Sequence, residues 1–303
     1  MNQTVISPET FRMYIAEAEA AYEAQLSAAV SEILGCPDVQ IVTVTGPTCS
    51  GKTTTSKKLT EALEDAGHPV YMVSFDDFFK NREDLPKTAS GGTDYDSAAS
   101  LDLPKLNDCL DRLVRGETCE LPKFDFETGR RTGYETYLPR ENDIILLEGI
   151  QAMYPEVREH LPHDIVRSIA ICPQRDVPVS GGRVITAREI RLLRRLVRDA
   201  RVRNSDAAKT LSMWADVCKN ENENILPYLC GADILIDSFL AYELHVIRPC
   251  AETVLAALPG DSVFRPMADD LLDRLSAFPP MPADGVPRDS VFREFIGQCP
   301  NTK

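Results

Sequence analysis

The chain has 303 residues, 43% apolar and 26% charged, with 33 Lys and Arg against 47 Asp and Glu for a net charge of −14. Those values describe a globular chain long enough for one large α/β domain with additions or for two modest domains. They disfavour broad nucleic-acid binding, which needs an excess of Lys and Arg on at least one face. No apolar run approaches the roughly 18 residues of a membrane span, and the start Met1-Asn2-Gln3-Thr4 has neither a basic nor an apolar leader region, so no membrane partner and a cytoplasmic location are expected. Nine cysteines, an odd number without a C-x-x-C pair, read as reduced structural thiols. A homo-oligomer is compatible with all of this.

Ser7-Pro8-Glu9 opens a helix, and apolar residues at Phe11, Ile15, Ala18, Tyr22, Leu26, Val30 and Ile33 give it one buried face before Gly35 stops it. The β-branched run at 39–45 predicts a buried strand. Further strands are predicted at 69–74, 143–147, 165–171 and 232–236, with helices at 52–66, 102–115, 186–203 and 206–224. This alternation predicts an α/β fold in three layers, a mostly parallel sheet covered on both faces. Residues 81–100 form a long loop of the kind that tends to be functional. Beyond Asp237, helices at 240–257 and 266–278 lead through a Pro-rich stretch to a short tail at 289–297. The expected organisation is an N-terminal helical extension at 1–37, a central domain at 38–240, and a C-terminal helical appendage and tail at 241–303.

Gly46-Pro47-Thr48-Cys49-Ser50-Gly51-Lys52-Thr53 matches G-x-x-x-x-G-K-[ST] between a predicted strand and a predicted helix. In that context the pattern is a phosphate-binding P-loop (Walker A): glycines let backbone N–H groups converge on phosphates, Lys52 adds a point charge, and the Thr53 hydroxyl can hold Mg²⁺. Thr54 follows on the same turn. A metal also needs a carboxylate past a neighbouring buried strand, and Glu148 after Asp143-Ile144-Ile145-Leu146-Leu147 supplies it. Cys49 lies among converging N–H dipoles that would favour a thiolate.

No Asn-Lys-x-Asp element reads guanine, and no second acid stands beside Glu148, so the GTPase and multimeric ATPase readings weaken. A kinase needs a base for the acceptor hydroxyl. Val73-Ser74-Phe75-Asp76-Asp77-Phe78-Phe79 ends the second strand with two carboxylates and an aromatic wall at the sheet edge where ligands bind. Eight arginines lie between Arg183 and Arg203. Arg188, Arg191, Arg195 and Arg198 recur at helical spacing opposite Leu193, Leu196, Val197 and Ala200, which predicts a helix with one cationic face, a lid that brings guanidinium groups to a transferring phosphate. A rival reading makes the arginine stripe an RNA-binding face of an ATP-dependent regulatory module, against which the net charge argues.

Over residues 38–240 the chain resembles the uridine kinase and phosphoribulokinase family of P-loop kinases. The resemblance rests on Gly46 to Thr53, Ser74-Phe75-Asp76-Asp77-Phe78-Phe79, Asp94-Tyr95-Asp96, Leu121-Pro122-Lys123-Phe124-Asp125-Phe126, Leu147-Glu148-Gly149 and Arg191-Leu192-Leu193-Arg194-Arg195-Leu196-Val197-Arg198-Asp199. It implies ATP and Mg²⁺ as cofactors, with Asp76 as general base and Thr53, Glu148 and Asp76 around the metal. It places Lys52 on the phosphates, Asp96 on ribose hydroxyls and Phe79 against the acceptor base. Arg195, Arg198 and Arg203 would surround phosphates or acceptor. The implied activity is phosphorylation of a small-molecule hydroxyl, a nucleoside 5′-hydroxyl first, with a sugar phosphate or pantothenate-like alcohol as alternatives. Where uridine-cytidine kinases read the pyrimidine with Tyr and His, this chain has Phe124 and Gly129. The last lid arginine of those enzymes falls on Ser205. The ending, Val286 to Gly297, is similar to the tail of a bacterial subgroup of uridine-kinase-like nucleoside kinases, here without the TGS domain that some of them carry.

Overall fold

Ser7 caps the first helix by accepting a hydrogen bond from Thr10 N at 3.1 Å, and helix α1 (Pro8–Leu34) ends where Gly35 donates back to Ser31 O. The computed structural model describes residues 7–88, 91–140 and 142–297. The polar start read above, the two residues at 89–90 within the long loop, and Cys299 lie outside them. None of the eight described cysteines is in a disulfide. No helix among the described residues is long and apolar enough to cross a membrane.

After α1 come β1 (Ile41–Thr45), α2 (Lys52–Asp65), β2 (Val70–Ser74) and α3 (Leu103–Val114). An antiparallel hairpin of β3 (Cys119–Asp125) and β4 (Arg130–Tyr137) precedes β5 (Ile144–Glu148), α4 (Pro155–Arg158) and β6 (Val166–Cys172). The two-residue strands β7 (Val177–Pro178) and β8 (Val184–Ile185) lead into α5 (Ala187–Val202), α6 (Ala207–Asn220) and α7 (Leu226–Leu229). The chain closes with β9 (Ile234–Asp237), α8 (Glu243–Ala256), α9 (Arg265–Leu275) and the single turn α10 (Arg293–Ile296).

Five strands form one parallel sheet in the order β2-β5-β1-β6-β9. Because successive strand residues point to opposite faces, Ile144 and Leu146 enter one apolar cluster while Ile145 and Leu147 enter another. The first and larger cluster takes in α1, α2, α5, α8, α9 and Phe292, Phe295 and Ile296 of the C-terminal segment. The second is closed by α3, Phe75, Phe78 and the hairpin residue Leu121. The sheet is thus covered on both faces, as the strand and helix alternation predicts.

The hairpin is absent from the sequence expectations. Its second strand alternates between exposed and half-buried positions with almost no apolar residue, so no hydrophobic pattern announces it. The helix expected at 206–224 stops as an α-helix at Asn220 and passes through a π-turn at Glu221–Ile225 before α7. Pro227, two residues past the π-turn in the first turn of α7, cannot donate to the helical ladder, which fits the break. The expected long loop is interrupted by short 3₁₀ turns at Arg82–Asp84 and Ala98–Ser100 and an isolated bridge between Lys87 and Thr93.

Candidate active site

The parallel register brings the ends of three strands level. Glu148 at the end of β5 lies opposite Val44 of β1 on one side and Ser74 of β2 on the other. The chain after β1 is therefore the P-loop, the chain after β2 carries Asp76, and Glu148 stands between them at the carboxyl edge, where open α/β sheets hold ligands.

Gly46 to Lys52 curl tightly, and the glycines are required by close approach. A Cβ at Gly46 would collide with the carbonyl oxygen of Ile171, and Gly51, at φ +94°, is the left-handed N-cap of α2. Lys52 Nζ donates to the carbonyls of Gly46 at 2.9 Å and Pro47 at 3.2 Å. Cys49 sits at φ +58° with its side chain buried in the larger core cluster.

Asp76 opens a 3₁₀ turn, Phe75–Phe78, its N–H donating to Ser74 Oγ at 3.3 Å. A Cβ at Gly149 would lie 2.6 Å from Phe75 Cβ, so only glycine after Glu148 lets the two carboxylate-bearing strand ends meet. Although Asp76 keeps an exposed surface at the carboxyl edge of the sheet, the surrounding protein is dense enough to desolvate its carboxyl. Burial, reinforced by Asp77, raises its pKa against the opposing pull of Lys52 and Arg203. Glu148 is pushed up to about 7 by burial, with Asp76 and Glu294 adding to it and Lys52 opposing. Asp96 is pushed up to about 6, again by burial, with Arg195 and Lys52 opposing. Lys52 thus lies within electrostatic reach of all three acids.

The arginine helix differs from the expected cationic stripe. It is packed by α6, α8 and α10, and Arg191, Arg194 and Arg195 turn inward. Arg191 forms a two-pronged pair with Glu221 and donates to Thr48 O at 3.1 Å. Arg194 is fully buried on Glu243 and donates to Cys49 O at 3.2 Å. Buried guanidinium groups need such carboxylate partners, and here two of them also hold the P-loop backbone. Arg195, Arg198 and Arg203 gather on the buried carboxylate of Asp199 at 3.3, 3.0 and 3.5 Å. Arg188 pairs with Asn222. This pairing turns Arg191 and Arg195 of the expected stripe onto carboxylates of the protein itself. The α5 spacing made Asp199 legible, since it lies four residues from Arg195 and from Arg203, but Glu221 and Glu243 are distant in sequence.

Phe79 meets Tyr95, Phe124 and Phe126 edge to face, with ring centroids 5.6, 5.9 and 6.0 Å away. Asp77 accepts from Phe124 N at 3.1 Å and so pins the hairpin over this wall. Tyr154 and Gln151 donate to the carbonyl of Asp96 and hold its loop. Gly129 has φ +69°, and the Arg82 guanidinium fills the space a side chain there would need. Ser205 donates its N–H to Asp199 O at the end of α5.

Among the described residues no group of three or more His, Cys, Asp or Glu forms a dedicated metal cage. The oxygen donors Thr53, Glu148 and Asp76 beside a lysine suit Mg²⁺, which takes one or two protein oxygens and fills its shell with water and phosphate oxygens.

A family model described as Phosphoribulokinase / Uridine kinase family matches residues 41–243. The chain belongs to that family. It is 30% identical over 197 residues to a uridine kinase of Staphylococcus haemolyticus, covering 65% of this chain and 86% of that one. It is 28% identical over 218 residues to uridine kinase-like protein 4 of Arabidopsis thaliana, but spans only 42% of that longer protein. A solved structure titled as a possible uridine kinase from Bacillus stearothermophilus aligns with a TM-score of 0.42 at 23% identity, over 50% of this chain and 82% of the other.

Proposed function

We propose that this protein is an ATP- and Mg²⁺-dependent kinase that moves the γ-phosphoryl group of ATP to a hydroxyl of a small molecule, a nucleoside 5′-hydroxyl first. The observation that carries this reading is that the strand ends bearing Glu148 and, just beyond, Asp76 lie level with the start of the P-loop, with Lys52 within electrostatic reach of both and of Asp96. Family membership and relatives named as uridine kinases support it.

In this reading the backbone of Gly46 to Thr54 cradles the phosphates, and Lys52 leaves the loop carbonyls for the β- and γ-oxygens. Thr53 and Glu148, with Asp76 nearby, hold Mg²⁺, which when bound neutralises charge on the transferred group. Asp76 accepts the proton of the attacking hydroxyl, and a carboxyl with a raised pKa is the better base for it. Arg195, Arg198 and Arg203, held together by Asp199, stabilise the charge that develops on the phosphoryl oxygens. Phe79 packs against the acceptor and Asp96 accepts from its hydroxyls.

A second acceptor class is favoured by one feature. The rings of Phe79, Phe124 and Phe126 carry no polar group for a base edge, and Arg82 occupies the space over Gly129. A site without such readers discriminates poorly among bases, which suits a non-nucleoside alcohol. The test is coupled ADP release with Mg-ATP across ribo- and deoxyribonucleosides and a set of sugar and pantothenate-like alcohols, with Lys52→Ala as control. Turnover with a nucleoside supports the first class, turnover confined to the alcohols supports the second, and no Lys52-dependent turnover in either set overturns the kinase reading.

A further inference from the structure

The C-terminal segment after α9 returns to the P-loop. Arg293 staples it by donating to the carbonyls of Ala283, Val286, Pro287 and Gly297. Val291, Phe292 and Phe295 are fully buried, the Arg194 guanidinium lies 4.7 Å over the Phe295 ring, and Ser290 meets Tyr242. Val291 Cγ2 approaches so closely that a Cβ on Gly51 would lie 2.5 Å from it. On the other side of the turn, Thr54 Oγ1 donates to Glu294 Oε2 at 3.1 Å, and Arg201 donates to the Glu294 carbonyl.

Lys52, Thr53 and Thr54 are the first three residues of α2. Their end of the helix carries unpaired N–H groups and the positive pole of its dipole, which favour an anion. The chain supplies one of its own there, a carboxylate on the hydroxyl of Thr54.

We infer that Glu294 is an intramolecular competitor of the nucleotide, occupying Thr54 and repelling the phosphates that the P-loop gathers, so that it sets nucleotide affinity and hastens release of the diphosphate product. The inference rests on the P-loop of the proposed function being the phosphate site. The anchoring of Phe292 and Phe295 means that only the Glu294 side chain, not the whole segment, has to yield.

The experiment measures MgATP and MgADP dissociation constants by titration calorimetry for the full chain, Glu294→Gln, Glu294→Ala and Lys52→Ala, with thermal unfolding to confirm that each variant is folded. Glu294→Gln keeps an oxygen for Thr54 and removes only the charge, so it is expected to bind both nucleotides about three- to tenfold more tightly, the size of one like-charge repulsion across about 4 Å in water-like surroundings. The gap from wild type is expected to narrow in high salt, which screens that repulsion. Glu294→Ala is expected to follow Glu294→Gln. Unchanged or weaker binding in both variants, with Lys52→Ala still impaired, overturns the competitor role and makes Glu294 a neutral packing residue or a direct nucleotide contact. Binding that is indifferent to Lys52→Ala instead overturns the phosphate-site reading itself, and this inference with it.

Discussion

Asp199 governs three side chains at once, because Arg195, Arg198 and Arg203 all rest on its buried carboxylate. Its neutral isostere would leave three guanidinium groups without their common anchor, free to point away from the cleft. Asp199→Asn is therefore expected to lower kcat about 10- to 100-fold, the range for misplacing a catalytic group by an ångström or so, while KM for ATP moves less. Steady-state kinetics check this, and an unchanged kcat would remove Asp199 from the positioning of the arginines. Asp96 is expected to act on the acceptor alone. In Asp96→Asn the KM for a hydroxylated acceptor should rise more than kcat falls, and a selective rise in the KM for ATP would place the residue on the other substrate.

Helix α5 ties the P-loop to the later helices. Thr186 and Glu189 form a capping box at its start, and Arg274 of α9 pairs with the same Glu189. Further along, Arg194 ties Glu243 of α8 to Cys49 of the P-loop. Removing one member of a buried pair strands the other charge, so Arg194→Ala is expected to cost about 3–5 kcal/mol in chemical denaturation. A loss under 1 kcal/mol would mean that the pair is hydrated after all. The α5 helix was readable from its apolar spacing. The inward turn of its arginines was not, because charge spacing alone cannot distinguish a solvated face from one whose partners, Glu221 and Glu243, arrive from later helices.

At the scale of the molecule, the cleft acids work against folding at neutral pH. Burial raises the pKa of Glu148 to about 7 and of Asp96 to about 6, and lifts Asp76 as well. Unfolded carboxyls titrate near 4. Between about pH 4 and pH 7 the folded chain therefore holds protons that the unfolded chain has released, and stability falls as pH rises through that window. The thermal midpoint of the nucleotide-free protein is expected to rise as pH is lowered from 8 to 5.5. Glu148→Gln should melt higher than wild type at pH 8 and show a flatter profile. A wild-type midpoint that falls over the same range would contradict the assignment of these groups.

The same contrast separates what the sequence disclosed from what it did not. Gly46 to Thr53, the strand ends at Asp76 and Glu148, and the sheet itself follow from local spacing and apolar runs, which adjacent residues encode. The Phe124 hairpin was recognisable as a motif but not as two strands, for lack of an apolar alternation. The contacts of Arg82 with Gly129 and of Glu294 with Thr54 join residues 47 and 240 positions apart, and only the folded chain brings them together.

The most direct test of the proposed chemistry is the rate of phosphoryl transfer from Mg-ATP to the best acceptor by wild type and Asp76→Asn, with ATP affinity measured in parallel. Loss of the base is expected to slow transfer by about 10²- to 10⁴-fold, with ATP binding kept within a few-fold. Transfer by Asp76→Asn at a rate within a few-fold of wild type would contradict the account, because the acceptor proton would then leave by a route that does not involve the carboxylate at the end of β2.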